Sequence, residues 1–159
     1  LRIFKEINNK NKETKLVLIG EGEKKSELEQ LSEDLHIKEN ICFFGVTDFP
    51  EKCLSAMDVF VLPSLFEGNP VVGIEAQTNG LKCLFSDTIT REAKITDLVK
   101  FLPIKDIKPW VEEILKSNID ETRKSQDEEV KKNGYDIKQI STELKNLYLS
   151  INKGENIDG

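Results

Sequence analysis

Short apolar segments alternate with longer segments of helical periodicity along this chain. Runs of four or five apolar residues, rich in β-branched and aromatic side chains, predict buried strands. Apolar residues that recur three or four positions apart predict amphipathic helices. The pattern predicts strands over residues 15–19, 41–44, 58–62, 82–85 and 99–102. It predicts helices over residues 1–9, 24–35, 49–57, 70–79, 107–116 and 137–151, with residues 117–129 helical or irregular.

This alternation predicts an α/β protein with a Rossmann-like, doubly wound parallel sheet. Short apolar strands joined by helices are typical of a parallel sheet that is covered on both faces. Ligands of such sheets bind beyond the carboxyl ends of the strands. We therefore expect residues 20–22, 45–47, 64–69 and 86–88, which all follow predicted strands, to lie along one edge. Taken alone, Gly20 and Gly22 are typical of a tight strand-to-helix corner, without the third glycine of a dinucleotide-binding fingerprint.

Residues 58–80 form the segment around which the other predictions are organised. A β-rich apolar run over residues 59–62 predicts a strand, and a helix follows it with both ends marked. Asn69 can cap this helix, Pro70 suits its first position, and Gly80 fits just past its last turn. The start of a helix presents unpaired backbone N–H groups that favour an anion such as a diphosphate.

Two carboxylates flank the start of this predicted helix. Glu67 precedes it, and Glu75 lies one turn after Val71 and Val72, on their face. An acid on an otherwise apolar face needs a partner or a ligand. The alternative is purely structural: Glu67 caps its own helix and Glu75 pairs with a surface lysine.

Composition indicates a soluble globular protein. The 159 residues fit one domain with a core, and 38% of them are hydrophobic and 33% charged. The net charge of −6, without a basic stripe and interleaved aromatic residues, argues against nucleic acid as a partner. No apolar run is long enough to span a bilayer, and no signal peptide is visible.

The cysteines and the single histidine do not suggest a metal site. The three cysteines are odd in number and scattered, and Cys42 and Cys83 fall within apolar runs, so we expect both to be buried and reduced. This pattern favours a reducing, cytoplasmic location. No spacing of potential ligands suits a metal, and His36 is expected at a helix end.

The segment over residues 64–76, SLFEGNPVVGIEA, resembles the signature of the retaining, nucleotide-sugar-dependent glycosyltransferases of the GT-B fold, in particular the large group-4 family. There the pattern is roughly Ser-x-x-Glu-Gly-x-x-x-x-x-x-Glu-Ala. The resemblance covers about residues 1–117. It implies that the chain is the carboxyl-terminal, donor-binding half of a two-domain enzyme. Its substrate would be a UDP- or GDP-linked sugar, and no metal or other cofactor would be required.

The resemblance also implies roles for individual residues. Glu67 would hold the transferred sugar as the catalytic residue, and Glu75 would hold the ribose hydroxyls. The other residues with an implied role are Gly68, Asn69, Val71, Gly20 and Gly22 for the donor sugar and phosphates, and Val46 and Thr47 for the base.

The implied activity is transfer of a hexose with retention, in the synthesis of a bacterial capsular polysaccharide, exopolysaccharide or other surface glycan. The loop over residues 86–96, SDTITREAKIT, departs from the family's glycine-rich turn and resembles a capsular or exopolysaccharide subgroup. The family also carries an arginine and a lysine upstream, which neutralise the diphosphate, and this chain starts after them.

These departures set the expected domain organisation. Residues 1–152 would form the donor-binding domain, truncated at its amino terminus, and residues 153–159 a loose tail. The acceptor-binding domain would be missing, together with any peripheral membrane association that it provides. We therefore expect the chain to be inactive by itself.

Two other interpretations remain at this point. One is a non-catalytic α/β module for nucleotide binding or interaction, which has kept the fold and lost the chemistry. Intact Glu67, Gly68 and Glu75 favour a transferase over such a module. The other alternative is a sugar-nucleotide epimerase, which shares the GT-B shape but uses other catalytic residues.

Overall fold

The computed structural model of the chain describes residues 1–117 and 123–152. Its strands are β1 Leu16–Ile19, β2 Ile41–Gly45, β3 Val59–Leu62, β4 Lys82–Ser86 and β5 Val99–Leu102. Its helices are α1 Arg2–Lys10, α2 Lys25–Asp34, α3 Pro50–Ser55, α4 Val71–Thr78, α5 Lys108–Leu115, α6 Asp127–Val130 and α7 Ile137–Asn152. Every predicted strand and helix is present. The predicted tail, residues 153–159, lies outside the described residues, as does part of the segment predicted as helical or irregular.

All strand pairs are parallel, which confirms the predicted α/β class. The strands form two sheets, with β1 paired to β2 and with β4 between β3 and β5. Leu16 lies opposite Ile41 in the first sheet, and Cys83 lies opposite Val99 in the second. The prediction of a single sheet therefore differs from the structure, since β1 and β3 are not paired. Periodicity along a chain identifies strands but carries no information about which strands pair.

The core lies on both faces of β4, and helices cover both. On one face, Phe85 packs with Leu54 and Ala76. On the other face, Leu84 packs with Leu102 and Trp110, whose indole N–H donates to the carbonyl of residue 103 at 2.9 Å. This two-sided burial is typical of a doubly wound sheet.

The sheet of β1 and β2 has one exposed face, and this overturns the expectation for Cys42. Successive side chains of a strand point to opposite faces, and here alternate residues are exposed. Cys42 lies on the exposed face with Val17 and Phe44. Cys83 is buried as predicted, and burial raises the pKa of its thiol to about 12. Cys42, Cys53 and Cys83 are all free thiols.

Two helix ends were correctly located from the sequence. Gly80 follows α4 with a φ of +80°, and the N–H groups of Gly80 and Leu81 donate to the carbonyls of Gln77 and Ala76. These two bonds satisfy carbonyls at the end of the helix. His36 follows α2 in the same left-handed conformation, with a φ of 54°.

A substitution at Gly80 tests how closely the chain approaches itself after α4. A Cβ at residue 80 would lie 2.3 Å from the carbonyl oxygen of Lys124, in addition to the unfavourable φ. We expect Gly80→Ala to lower the free energy of unfolding by about 2–4 kcal/mol, because backbone strain and a clash add. The measurement is unfolding in urea.

Gly134→Ala is the matched control for this experiment. Gly134 has a similar φ of +88°, but a Cβ there would meet nothing within 4 Å. Gly134→Ala should lower the free energy of unfolding by about 1–2 kcal/mol, because only the backbone strain contributes. Equal losses in the two variants would contradict the close approach of Lys124 to Gly80.

The carboxylate of Glu113 gives a pH-dependent prediction. It contacts Lys100 at 2.8 Å and Lys82 at 3.3 Å, and the hydrogen bond from Lys100 lowers the pKa of Glu113. A carboxyl group whose pKa is lower in the folded state stabilises that state above its unfolded pKa. The stabilisation is lost as the pH falls through the folded pKa. Glu113→Gln should therefore lower the melting temperature at pH 7, with the difference closing below about pH 4. The exposed Glu112→Gln is the control and should show little change at either pH.

Candidate functional site

The residues that follow β3 and β4 form one hydrogen-bonded group at the carboxyl edge of their sheet. The hydroxyl of Ser64 donates to the carboxylate of Glu67 at 2.8 Å. The hydroxyls of Ser86 and Thr88 both donate to the carbonyl oxygen of Ser64, Thr88 at 2.9 Å. The expectation that residues 64–69 and 86–88 lie together is confirmed.

Helix α4 begins one residue later than predicted. Pro70, in an extended conformation, is the boundary residue, and no side chain caps the helix. The prediction that Asn69 caps it is wrong, because Pro70 occupies the capping position and carries no side-chain acceptor. The Pro70 carbonyl accepts from Gly73 at 2.8 Å, while the N–H groups of Val71 and Val72 donate to none of the described residues. The start of α4 therefore presents two free donors.

Glu75 shares a face of α4 with Val71 and Val72, as its spacing predicted, and the structure shows that this face is exposed. The side chains of Val71 and Val72 are 63% and 40% exposed, and Glu75 is exposed beside them. Within residues 1–117 and 123–152, no lysine or arginine forms an ion pair with Glu75. The Glu67 carboxylate accepts from Ser64 and not from the helix. These contacts therefore differ from the purely structural alternative, in which Glu67 caps its own helix and Glu75 pairs with a surface lysine.

The other candidate residues form a second group, at the carboxyl ends of β1 and β2. The Gly20 N–H donates to the Gly45 carbonyl at 2.8 Å, and both glycines have positive φ values, +128° and +79°. Gly20 and Gly22 line an open cleft of about 270 Å³ beside the start of α2. Gly45 also lines this cleft, and Val46, which follows Gly45 in the chain, is 69% exposed.

Thr47 and Gly68 occupy exposed loops of these two groups. The Thr47 hydroxyl accepts from the backbone N–H of Phe49 at 3.1 Å. A Cβ at Gly68 would meet nothing within 4 Å, so the packing of the chain itself does not demand a glycine there. Among the described residues, no hydrogen bond joins the Gly20 group to Glu67 or Glu75. The candidates therefore follow strands of two different sheets, in two groups that no hydrogen bond between described residues connects.

Gln77 is a structural residue that the sequence analysis missed. Its side chain is fully buried and connects α4 to the loop that follows β4. The amide nitrogen donates to the carbonyls of Gly73 and Ala93, at 3.0 and 2.9 Å. The amide oxygen accepts from the N–H groups of Ile95 and Thr96, both at 2.9 Å. The sequence did carry one signal for this role: Gln77 lies one helical turn after Gly73, which places a polar amide on the same face of α4.

The described residues contain neither a cluster of metal ligands nor a membrane-spanning helix. In that part of the chain, no three histidine, cysteine or acidic residues are grouped closely enough to hold a metal ion. No described helix has the length and apolar composition required to cross a bilayer.

Comparison with known proteins identifies the family. The sequence profile described as "Glycosyl transferases group 1" matches residues 1–136. This chain belongs to that family. The two halves of the candidate site, around Gly20 and around Glu67, both fall within the matched residues.

Characterised and assigned relatives support the same family. The chain is 34% identical over 146 residues to EpsF of Bacillus subtilis (strain 168), assigned as a glycosyltransferase. It is 26% identical over 150 residues to the UDP-Gal:alpha-D-GlcNAc-diphosphoundecaprenol alpha-1,3-galactosyltransferase of Escherichia coli. These alignments cover 89% and 91% of the chain but only 38% and 39% of the two relatives. The chain thus spans about two fifths of their length.

Solved structures show the fold of the family. A variant of S. aureus TarM, in complex with Fondaparinux, alpha-GlcNAc-glycerol and UDP, superposes with a TM-score of 0.75 at 21% identity. The superposition covers 92% of the chain and 31% of TarM. The chain therefore has the α/β architecture found in part of GT-B glycosyltransferases.

The buried amide of Gln77 yields a prediction for the loop after β4. Gln77→Leu keeps the volume but leaves the N–H groups of Ile95 and Thr96 unpaired. We expect a loss of about 2–4 kcal/mol in the free energy of unfolding, because unpaired buried donors are costly. Trypsin should also cut faster after Arg91 and Lys94, which lie in the loop.

Thr78→Val is the control, since it removes one hydroxyl that bonds only to the Ile74 carbonyl within α4. Thr78→Val should lower the free energy of unfolding by less than about 1 kcal/mol and leave the rate of tryptic cleavage after Arg91 and Lys94 unchanged. If Gln77→Leu did not accelerate cleavage after Arg91 and Lys94, the conclusion that the Gln77 side chain holds the loop after β4 would be wrong.

Proposed function

We propose that this chain is the donor-binding, carboxyl-terminal domain of a group-4 retaining glycosyltransferase that transfers a hexose from a nucleotide sugar. The observation that carries the proposal is the arrangement of Glu67. Its carboxylate is held by Ser64 shortly before a helix whose first N–H groups, at Val71 and Val72, have no partner among the described residues. Family membership supplies the reaction class, and this arrangement supplies groups suited to its two developing charges.

Glycosyl transfer breaks the bond between an anomeric carbon and a diphosphate. Negative charge develops on the leaving diphosphate, and the N–H groups of Val71 and Val72 with the dipole of α4 would stabilise it. Fixed donors of this kind need no rearrangement as the charge appears. The sugar becomes oxocarbenium-like, and the Glu67 carboxylate would orient it and favour its positive charge. In this proposal the phosphate charge is carried by protein groups, without a metal.

The rest of the donor would extend from Glu67 to Glu75 and to the loops that follow β1 and β2. Glu75, exposed and unpaired among the described residues, would accept hydrogen bonds from the ribose hydroxyls. Val46 and Thr47 would contact the base. Gly20 and Gly22 would border the sugar and phosphates, together with Gly68 and Asn69. A donor linked to UDP is supported by the UDP in the TarM complex and by the UDP-Gal named for the E. coli relative.

The acceptor would be bound by a part of the protein outside this chain. The two relatives are more than twice as long as the segment that they share with it. We propose that this other part supplies the acceptor site, the basic residues that face the diphosphate and any contact with a membrane. A lipid-linked or polysaccharide acceptor in a cytoplasmic, surface-glycan pathway fits the acceptor named for the E. coli relative. The chain alone would bind donor nucleotide and transfer no sugar.

Substitution of the two acids separates their proposed roles. Glu75→Ala removes an acceptor for ribose hydroxyls, so it should weaken UDP binding by roughly 1–3 kcal/mol. Glu67→Ala should leave the affinity for UDP nearly unchanged, since its partner is the sugar. In the whole enzyme, Glu67→Ala should lower kcat more than it raises KM, as expected for a group that acts mainly in the transition state. Calorimetry with UDP and GDP and steady-state kinetics are the measurements.

Glu112→Ala, an exposed acid on α5, is the control and should change neither binding nor turnover. Matching losses of UDP affinity in the Glu67 and Glu75 variants would refute the division of labour. Binding of UDP by a whole protein that transfers no sugar would instead support the non-catalytic module.

A further inference from the structure

The loop between β3 and α4 is held almost entirely by side-chain hydroxyls. No backbone–backbone hydrogen bond connects residues 63–69 to any described residue. Burial does not hold the loop either, because Leu65 and Phe66 are 79% and 82% exposed. The hydrogen bonds that connect this loop to other described residues are those that the Ser64 carbonyl oxygen accepts, and within the loop the Ser64 hydroxyl bonds to Glu67.

The carbonyl oxygen of Ser64 accepts two hydrogen bonds from the strand next to it. One comes from Ser86, the last residue of β4, which is fully buried and therefore has a fixed position. The other comes from Thr88 at 2.9 Å, and the two hydroxyls lie 3.0 Å apart. Both lone pairs of the carbonyl are thus used. Fixing this oxygen fixes the peptide that follows Ser64.

The same residue holds the carboxylate of Glu67. The Ser64 hydroxyl donates to Glu67 at 2.8 Å, and a hydrogen bond to an ionised acceptor is stronger than one between neutral groups. The position of Glu67 therefore depends on Ser64, and the position of Ser64 depends on Ser86 and Thr88.

We propose that Ser86 and Thr88 are positioning residues that hold Glu67 in place through Ser64. This inference rests on the proposed role of Glu67 in sugar transfer. It assigns a role to the loop after β4, SDTITREAKIT, whose first and third residues are the two donors. Neither residue needs to touch the donor sugar to affect the rate of its transfer.

The first test measures the loop itself in the chain described here. Chymotrypsin should cut slowly after Leu65 and Phe66, because both are exposed but lie in the loop that Ser86 and Thr88 hold through Ser64. The double variant Ser86→Ala, Thr88→Val lacks both donors, and we expect it to be cleaved there about fivefold faster or more. Cleavage after Tyr135, which is exposed between α6 and α7 of the same molecule, should keep its rate and serves as the internal control.

Two single variants control for the chemistry of the loop after β4. Thr88→Ser keeps the hydroxyl and should retain the slow cleavage of the parent chain. Thr90→Val removes a hydroxyl that contacts the N–H of Glu92 rather than Ser64, and it should also retain that rate. An unchanged cleavage rate in the double variant would overturn the inference, as would an equal acceleration by Thr90→Val.

The second test measures catalysis in the whole enzyme that contains this chain. The double variant should lower kcat about tenfold or more, with KM for the donor and affinity for UDP nearly unchanged. Thr88→Val alone should show a smaller loss in kcat, and Thr88→Ser should recover the parental value. A role limited to folding would instead reduce the fraction of active protein and leave kcat per folded molecule intact.

The two tests distinguish this inference from the proposed function. If the parent enzyme transfers no sugar, the proposed function fails, and the cleavage experiment still decides whether Ser86 and Thr88 hold the loop. If the loop is released while kcat per folded molecule is unchanged, Ser86 and Thr88 do not position a group that matters for transfer, and the inference is overturned.

Discussion

Close packing between helix α4 and Phe85 determines where the candidate site residues of this domain lie. Phe85 is fully buried in β4, with its ring edge-on to Phe60 and Phe101 at centroid distances of 6.4 and 6.0 Å. A Cβ on Gly73 would lie 2.8 Å from the ring of Phe85. Because only glycine permits this approach, the first turn of α4 lies against the carboxyl end of β4. Interiors packed at this density leave little room for adjustment, so the position of the helix is well determined.

The position of α4 decides which of its residues are exposed at the carboxyl edge of the sheet formed by β3, β4 and β5. One side of α4 is buried on the sheet, and the opposite side carries Val71, Val72 and Glu75 in exposed positions. The N–H groups of Val71 and Val72, which have no partner among the described residues, follow Glu67 by four and five positions in the chain. An anion at this point would find hydrogen-bond donors and a favourable dipole, while the nearby acids suit hydroxyl groups. This combination fits a nucleotide sugar better than it fits a free phosphate.

The two loops beside α4 are held in different ways. The loop after β4 is tied to the helix by the buried amide of Gln77, which makes bonds at both of its ends. The loop that carries Glu67 has exposed side chains and depends on a few hydroxyl contacts. Segments with few buried contacts open most readily, and binding loops are commonly of this kind. The loop tied down by Gln77 therefore lies beside a loop with fewer hydrogen bonds, which carries the proposed catalytic group.

The amino-acid sequence by itself determined the local structure and the family. Apolar periodicity located the five strands and every described helix except α6, because burial of one face imposes a period of two or about 3.6 residues. Gly80 marked the end of α4, because few other residues adopt its φ, and the spacing of Glu67 and Glu75 indicated the glycosyltransferases. Only tertiary structure decided that the strands form two sheets, that Cys42 is exposed, and that Asn69 leaves the helix uncapped. It also decided that Ser86 and Thr88 bond to Ser64. These features depend on which segments meet in space, and contacts between distant residues leave no periodic trace along the chain.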